Sequence, residues 1–134
     1  MRSNKLQTTA YWATTGLMVV PLVAGGIVDT LAPPDAVAFL AHLGYPAYFA
    51  TVIGVWKVLG GIAVLAPRLA RLKEWAYAGI FFDLTGAAIS HAASGDGAGK
   101  VSAPLVLAAL AIASWMLRPE SRKLASTFAV PAAA

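Results

Sequence analysis

The chain has 134 residues, of which 59% are apolar and 12% are charged, and its formal net charge at pH 7 is +4. With a mean hydropathy of +0.72, this composition is typical of an integral membrane protein and not of a soluble domain. The chain contains no cysteine, which excludes disulfides, thiol redox catalysis by the chain itself and thiolate-held metal clusters. The basic residues flank apolar segments instead of forming a stripe, which argues against nucleic acid as a partner.

Four apolar segments predict four membrane-spanning helices in a single domain, residues 1–120. In chain order they cover residues 9–28, 48–66, 75–90 and 103–117. A helix of roughly 17 to 20 residues rises about 25 to 30 Å, close to the ~30 Å hydrocarbon core of a bilayer, and only the fourth segment is shorter. The expected fold is therefore all-α, a polytopic membrane four-helix bundle. Residues 121–134 are expected to form a mobile cytoplasmic tail.

Between the first two segments the sequence predicts a short helix. Pro34 and Asp35 are typical of a helix start, and Gly44 and Pro46 are typical of a stop. The stretch from 35 to 43 between them is expected to lie as an interfacial helix on the outer face of the membrane.

Two further features flank the third segment. Lys73 and Glu74 precede it and are expected to cap its helix, because an acid is favourable near a helix N-terminus. Residues 94–102, which include Asp96, follow it and are rich in glycine, so they predict a flexible turn.

The distribution of Lys and Arg predicts the orientation in the membrane. One side of the four segments carries eight of these residues, namely Arg2, Lys5, Arg68, Arg71, Lys73, Arg118, Arg122 and Lys123. The other side carries only Lys100. Because basic residues accumulate on the cytoplasmic side, we expect a multi-pass protein of the bacterial inner membrane with both termini in the cytoplasm.

Lys57 and Asp83 lie at the centres of the second and third segments. A charge near the bilayer midplane costs at least ~3 kcal/mol, so such residues usually face the interior of a bundle. Antiparallel neighbouring helices would bring the two to a similar depth. The sequence leaves three interpretations open: a structural ion pair, the floor of a cavity for a quinone, lipid or other small amphiphile with Trp56 or Tyr77 contributing, and a proton path or no contact.

A second group of polar residues is expected at the outer membrane face. Asp29 ends the first segment, His42 lies in the first connection, and His91 follows the third segment. Ser90 lies seven residues after Asp83 and so shares its helix face. A metal site needs three convergent ligands, and without a local motif none is predicted. Capping, hydrogen bonding, acid–base chemistry and substrate contact remain open for this group.

Several motifs together resemble the DoxX-like family of small four-helix bacterial membrane proteins. The resemblance extends over roughly residues 6–119. The motifs are Leu43-Gly44-Tyr45-Pro46, Gly54-Val55-Trp56-Lys57-Val58-Leu59-Gly60, Pro67-Arg68, Leu72-Lys73-Glu74-Trp75-Ala76-Tyr77-Ala78-Gly79 and Gly86-Ala87-Ala88-Ile89-Ser90-His91.

The resemblance implies a role beside other redox proteins. Relatives look like membrane subunits of thiosulfate:quinone oxidoreductase or partners in membrane redox and detoxification complexes. We therefore expect a non-catalytic membrane subunit or small-amphiphile binder in a redox or stress-related process, with quinone as the only candidate cofactor. The alternatives are an oxidoreductase subunit that acts on quinone and a small transporter. Besides the bilayer, a membrane or soluble redox partner is expected, and the glycine-rich helix faces permit a homo-oligomer.

The matching positions carry the resemblance without a proven catalytic role. They are Tyr45, Pro46, Trp56, Lys57, Lys73, Glu74, Trp75, Tyr77, Asp83, Ser90 and His91.

Overall fold

The computed structural model describes residues 4–125, and this part of the chain consists of helices and short connections without a strand. The α-helices are α1 (Lys5–Leu31), α2 (Pro34–His42), α3 (Tyr48–Leu65), α4 (Ala70–Ala93) and α5 (Ala98–Leu117), and a 3-10 turn follows at Glu120–Arg122. The prediction of an all-α fold is confirmed.

Three of these helices, α1, α3 and α5, are long and apolar enough to cross a membrane. Helix α4 is also long, with 24 residues, but it carries Arg71, Lys73, Glu74 and Asp83. Large apolar side chains such as Val20 and Ile89 are 68% and 69% exposed. Soluble proteins rarely present extended apolar surfaces of this kind, so length, composition and surface together indicate a membrane protein.

The predicted segments lie within the helices almost completely. Helices α1, α4 and α5 are longer than their segments, whereas α3 ends one residue before its segment does. The fourth segment, 103–117, belongs to a helix of 20 residues that already begins at Ala98. The glycine-rich turn predicted over 94–102 is therefore wrong in extent, and only 94–97 lie between the helices. Hydropathy detects the apolar middle of a helix and misses polar end turns. Of the predicted tail, residues 126–134 lie outside the described residues.

Each long helix packs against two others. Helix α1 contacts α3 and α5, and α4 contacts α5 and α3. Their shared core contains Met18, Val19, Leu22, Val64, Tyr77, Ile80, Leu84, Ala108 and Ala111. Of these four pairs, α3 and α4 are packed least closely. This looser contact leaves a groove between α3 and α4.

Two glycines bring α1 and α3 close together. A Cβ atom added to Gly54 would lie 2.6 Å from the carbonyl oxygen of Gly26 and would overlap the backbone nitrogen of Thr30. A Cβ atom added to Gly26 would lie 2.7 Å from the Cβ of Lys57. Small residues allow helix backbones to approach in a membrane, and here they place Lys57 directly against α1.

Replacing Gly54 with Ala should destabilise the protein, because the methyl group would push α1 and α3 apart. Overpacking of this kind costs about 1–3 kcal/mol. Thermal unfolding in detergent would measure the loss. Gly25→Ala is the matched control, since a Cβ atom at Gly25 meets nothing within 4 Å. Equal losses in the two variants would contradict the close contact.

Candidate functional site

Lys57 of α3 forms its ion pair with α1. Its Nζ atom lies 2.9 Å from Oδ2 of Asp29, and the two side chains are 24% and 15% exposed. Within residues 4–125, no ion pair of 4.0 Å or less joins Lys57 to Asp83. The interpretation of these two residues as a direct ion pair is therefore wrong. The cause is the close approach of α1, which offers Lys57 a nearer carboxylate.

A groove of about 630 Å³ lies between α3 and α4 and contains both Lys57 and Asp83. Its other lining residues are Leu22, Ile53, Trp56, Leu59, Gly60, Ile62, Ala63, Ala66, Leu69, Leu72, Trp75, Ala76, Gly79 and Ile80. Trp56 and Trp75 are 66% and 78% exposed, so the groove opens on the outward face of the helices. The arrangement is an apolar slot with two charged side chains.

The charged residues lie at one part of this groove. Lys57 and Asp83 are near the middle of their helices, whereas Ala66, Leu69 and Leu72 lie next to the connection between α3 and α4. The groove therefore runs from a charged position at mid-helix to an apolar position at the helix ends. An amphiphile has the matching distribution of polar and apolar parts.

The carboxyl group of Asp83 has no direct partner in the part of the chain that the structure describes. Its side chain makes no hydrogen bond or ion pair with another residue of the described part of the chain. The charges of Lys57 and Asp29 act on it from a longer distance. Because Asp83 also lines the groove, its carboxyl group is available to an occupant.

At the opposite end from the basic residues, one carboxylate joins two histidines. Nε2 of His42 lies 2.9 Å from Oδ1 of Asp96, and Nδ1 of His91 lies 2.6 Å from Oδ2. The hydrogen bond from His91, followed by that from His42, lowers the pKa of Asp96 to about 2. We call His42, His91 and Asp96 the histidine clamp. Asp29, expected beside the two histidines, pairs with Lys57 instead.

The histidine clamp joins α2, α4 and the connection to α5 without forming a metal site. The two imidazoles reach different oxygens of one carboxylate. Among residues 4–125, no three His, Asp or Glu side chains are placed so that they could hold a metal ion. The geometry instead ties the ends of three elements together.

A glycine positions Asp96 over His91. Gly95 adopts a left-handed conformation, with φ of +73°, directly after the last turn of α4. The backbone nitrogen of Asp96 then donates to the carbonyl oxygen of His91 at 3.0 Å, and that of Gly95 donates to Ala92 at 3.1 Å. This is the Schellman ending of a helix. The succession of His91, Gly95 and Asp96 was the sequence signal for the clamp, and the interpretation as a flexible turn missed it.

The same ending closes α2 and positions a tyrosine. Gly44 has φ of +89°, and the backbone nitrogen of Tyr45 donates to the carbonyl oxygen of Leu40 at 3.0 Å. The hydroxyl of Tyr45 lies 2.7 Å from Oγ of Ser90. The side chain of Ser90 thus links α4 to the segment that follows α2.

Tyr77 does not line the groove. Its hydroxyl lies 2.7 Å from Oγ of Ser114, which in turn lies 2.6 Å from Oγ1 of Thr15. All three side chains are buried between α1, α4 and α5. Tyr77 also borders a second cavity of about 400 Å³, on the α5 side of α4. The expectation that Tyr77 contributes to a cavity with Lys57 and Asp83 is therefore wrong.

Lys73 closes the end of α3 instead of capping α4. The side chain is fully buried, and Nζ donates to the carbonyl oxygens of Ala63 and Val64 at 2.9 Å each and also to Ala66. The last carbonyl groups of a helix lack partners within it, and a buried ammonium group satisfies several at once. The expectation that Lys73 and Glu74 cap their own helix is wrong, because α4 begins without a side-chain cap.

Glu74 and Arg122 complete the packing at this basic end. One oxygen of Glu74 lies 2.7 Å from Nη1 of Arg118 at the end of α5. Nη1 of Arg122 donates to the carbonyl oxygens of Val64 and Leu65 at 3.2 Å each. The chain after α5 is thereby held against α3.

These features are those of a helical membrane protein that carries charged residues within its apolar helices. The model of the DoxX-like family matches residues 13–114, and the chain belongs to this family. The matched region contains the groove, the ion pair of Lys57 and the histidine clamp. Comparisons with curated proteins and with solved structures gave no match.

Replacing Lys57 with Met should destabilise the protein, because Asp29 would be left without its counter-ion. We expect a loss of roughly 2 kcal/mol, below the ~3–5 kcal/mol of a fully buried pair, since both side chains keep some contact with solvent. Adding Asp29→Asn should recover part of the loss, whereas adding Asp83→Asn should not. Unfolding in detergent of the single and double variants provides the measurement. Recovery with Asp83→Asn alone would contradict the observed pairing.

The contribution of Asp96 to stability should depend on pH. Its pKa is about 2 in the folded protein and 3.8 as the ordinary value. The ionised carboxylate therefore stabilises the fold fully above about pH 4, and this contribution is lost as the pH falls through about 2. The difference in unfolding midpoint between wild type and Asp96→Asn should accordingly shrink from about pH 4 to about pH 2. A difference that stays constant over this range would contradict the role given to Asp96.

Proposed function

We propose that the chain is a four-span protein of the bacterial inner membrane that binds a small amphiphile in the groove between α3 and α4. In this proposal it serves as a non-catalytic membrane subunit in a redox or stress-related process. The observation that carries the proposal is the groove itself, an apolar slot with Lys57 and Asp83 at one part of it.

The packing of the helices supports α4 as the fourth span. Helices α1, α3, α4 and α5 each contact two of the others, as the members of a four-helix bundle do. Two of the four charged residues of α4 have partners inside the protein, which lowers the cost of a span. Lys73 binds the carbonyl oxygens of α3, and Glu74 binds Arg118. In this arrangement the basic end faces the cytoplasm and α2 lies on the outer interface.

The size and position of the groove suit a ligand that arrives through the bilayer. Small-molecule sites commonly have volumes of about 300–1,000 Å³ and mostly apolar walls, and this groove lies within that range. The exposed faces of Trp56 and Trp75 border its opening. Because this opening faces the surface that contacts lipid, the ligand need not pass through water.

The depth of the charged residues limits the kind of occupant. Lys57 lies nine residues after the start of α3, which is about 13 Å along the helix. A diacyl lipid keeps its headgroup at the interface and would place acyl chain against Lys57 and Asp83. A small molecule whose polar group lies within the hydrocarbon region would place that group beside Lys57 and Asp83. A quinone is one molecule of this kind.

The amino-acid composition supports a role without chemistry in the chain itself. Because the chain has no cysteine, thiol chemistry is absent from it. Electrons in a redox process would have to reside on a bound molecule or on a partner protein. A membrane subunit that holds a lipophilic molecule for such a partner agrees with membership of the DoxX-like family.

Filling the groove should abolish binding without unfolding the protein. A Cβ atom at Gly79 meets nothing within 4 Å and Gly79 lines the groove, so Gly79→Leu would place its side chain there. Gly86→Leu is the matched control, because Gly86 has equal space on the same helix but does not line the groove. Native mass spectrometry of protein released from its own membranes, with identification of bound small molecules, provides the measurement.

We expect a stoichiometric small molecule on wild type and Gly86→Leu and none on Gly79→Leu. Equal occupancy of all three, or a wild-type chain without any bound molecule, would contradict the proposed function.

A further inference from the structure

We propose that the groove selects lipophilic cations, with the carboxylate of Asp83 as their counter-ion. This inference rests on the proposed function, since it specifies the charge of the occupant of the same groove. It makes a positively charged or protonated amphiphile the ligand class, in preference to a neutral quinone or an anion.

The balance of charge around the groove favours a cation. Among residues 4–125, Lys57 and Asp83 are the only charged residues that line the groove. The ammonium group of Lys57 is already neutralised by Asp29 at 2.9 Å. Asp83 is therefore left as a carboxyl group without a positive partner at ion-pair distance among residues 4–125. A carboxylate removed from water needs a cation beside it or a proton on it.

The packing of α1 against α3 keeps the ammonium group of Lys57 away from Asp83. The Cβ of Lys57 lies against Gly26 of α1, and its Nζ reaches Asp29, which is also in α1. This contact pairs the ammonium group of Lys57 with α1, although its side chain also lines the groove. The charged groups that act on Asp83 are then Lys57 of α3 and Asp29 of α1, and their effects on it are opposite in sign.

The walls of the groove include two indole rings. Trp56 and Trp75 both line the groove. The face of an indole attracts a cation more strongly than any other side-chain ring does, and the attraction increases where water is excluded. A neutral ligand gains only packing from these residues. An anion would gain packing and would meet the negative charge of Asp83.

The volume of the groove requires a cation with a substantial apolar body. A simple ammonium or metal ion would leave most of the roughly 630 Å³ unfilled and would not contact the apolar walls. A cation with several aromatic rings or one long chain fills the space from Asp83 towards Leu69 and Leu72. The ligand class is thus defined by one positive charge and a large apolar surface.

Two ions of the same shape and opposite charge test the proposal. Tetraphenylphosphonium and tetraphenylborate would be titrated calorimetrically against the full chain in neutral detergent, with Gly79→Leu as the measure of binding outside the groove. We expect the phosphonium to bind wild type at least tenfold more tightly than the borate. Decylubiquinone serves as the neutral comparison.

Variants then identify the source of the selectivity. Asp83→Asn should weaken phosphonium binding at least tenfold and bring the two ions to similar affinity, while Asp83→Glu should keep the preference. Asp29→Asn should also weaken phosphonium binding severalfold, because Lys57 would then supply the positive charge that Asp83 lacks. The unfolding temperature of each variant is measured, and each titration is made at the same interval below it. A loss of folding is then not mistaken for a loss of binding.

The outcomes separate this inference from the proposed function. Equal binding of the two ions by wild type, or phosphonium binding that is unchanged in Asp83→Asn and Asp29→Asn, overturns the cation selectivity. If decylubiquinone still binds wild type and not Gly79→Leu, the proposed function stands without it. If none of the three probes distinguishes wild type from Gly79→Leu, both are wrong.

Discussion

Asp29 holds the ammonium group of Lys57 at a distance of 2.9 Å, and this ion pair forms because Gly26 and Gly54 let α1 and α3 approach closely. A lysine in an apolar helix is tolerated when an opposite charge accompanies it. Since α1 supplies that charge, α4 does not have to approach α3 to neutralise Lys57. The looser contact between α3 and α4 leaves the groove open, and Asp83 faces it without a partner.

The two ends of the helices hold the walls of this groove by different chemistry. At one end Asp96 accepts hydrogen bonds from His42 and His91, which joins α2, α4 and the connection to α5. At the other end Lys73 and Arg122 donate to the last carbonyl oxygens of α3. Both devices satisfy polar groups that hydrocarbon would leave unpaired.

Part of the candidate site followed from local sequence. Counting along the apolar segments placed Lys57 and Asp83 at similar depth, and both line one groove together with Trp56. The same counting could have excluded Tyr77, which precedes Asp83 by six residues. Six residues turn a helix by about 600°, so Tyr77 points roughly 120° away from Asp83, and it meets Ser114 of α5. The expectation was wrong because it considered the residue type of Tyr77 and not the direction in which its side chain leaves the helix.

The sequence by itself determined the all-helical fold, the existence of its long apolar helices and the depth of the charges within them, because hydrophobic runs and the helical period are local properties. Only the tertiary structure decided the partners. Asp29 rather than Asp83 neutralises Lys57, one loop residue, Asp96, joins two histidines, and Lys73 closes the preceding helix. The physical reason is that a charged side chain pairs with the nearest suitable group, and which group is nearest depends on how closely each pair of helices packs.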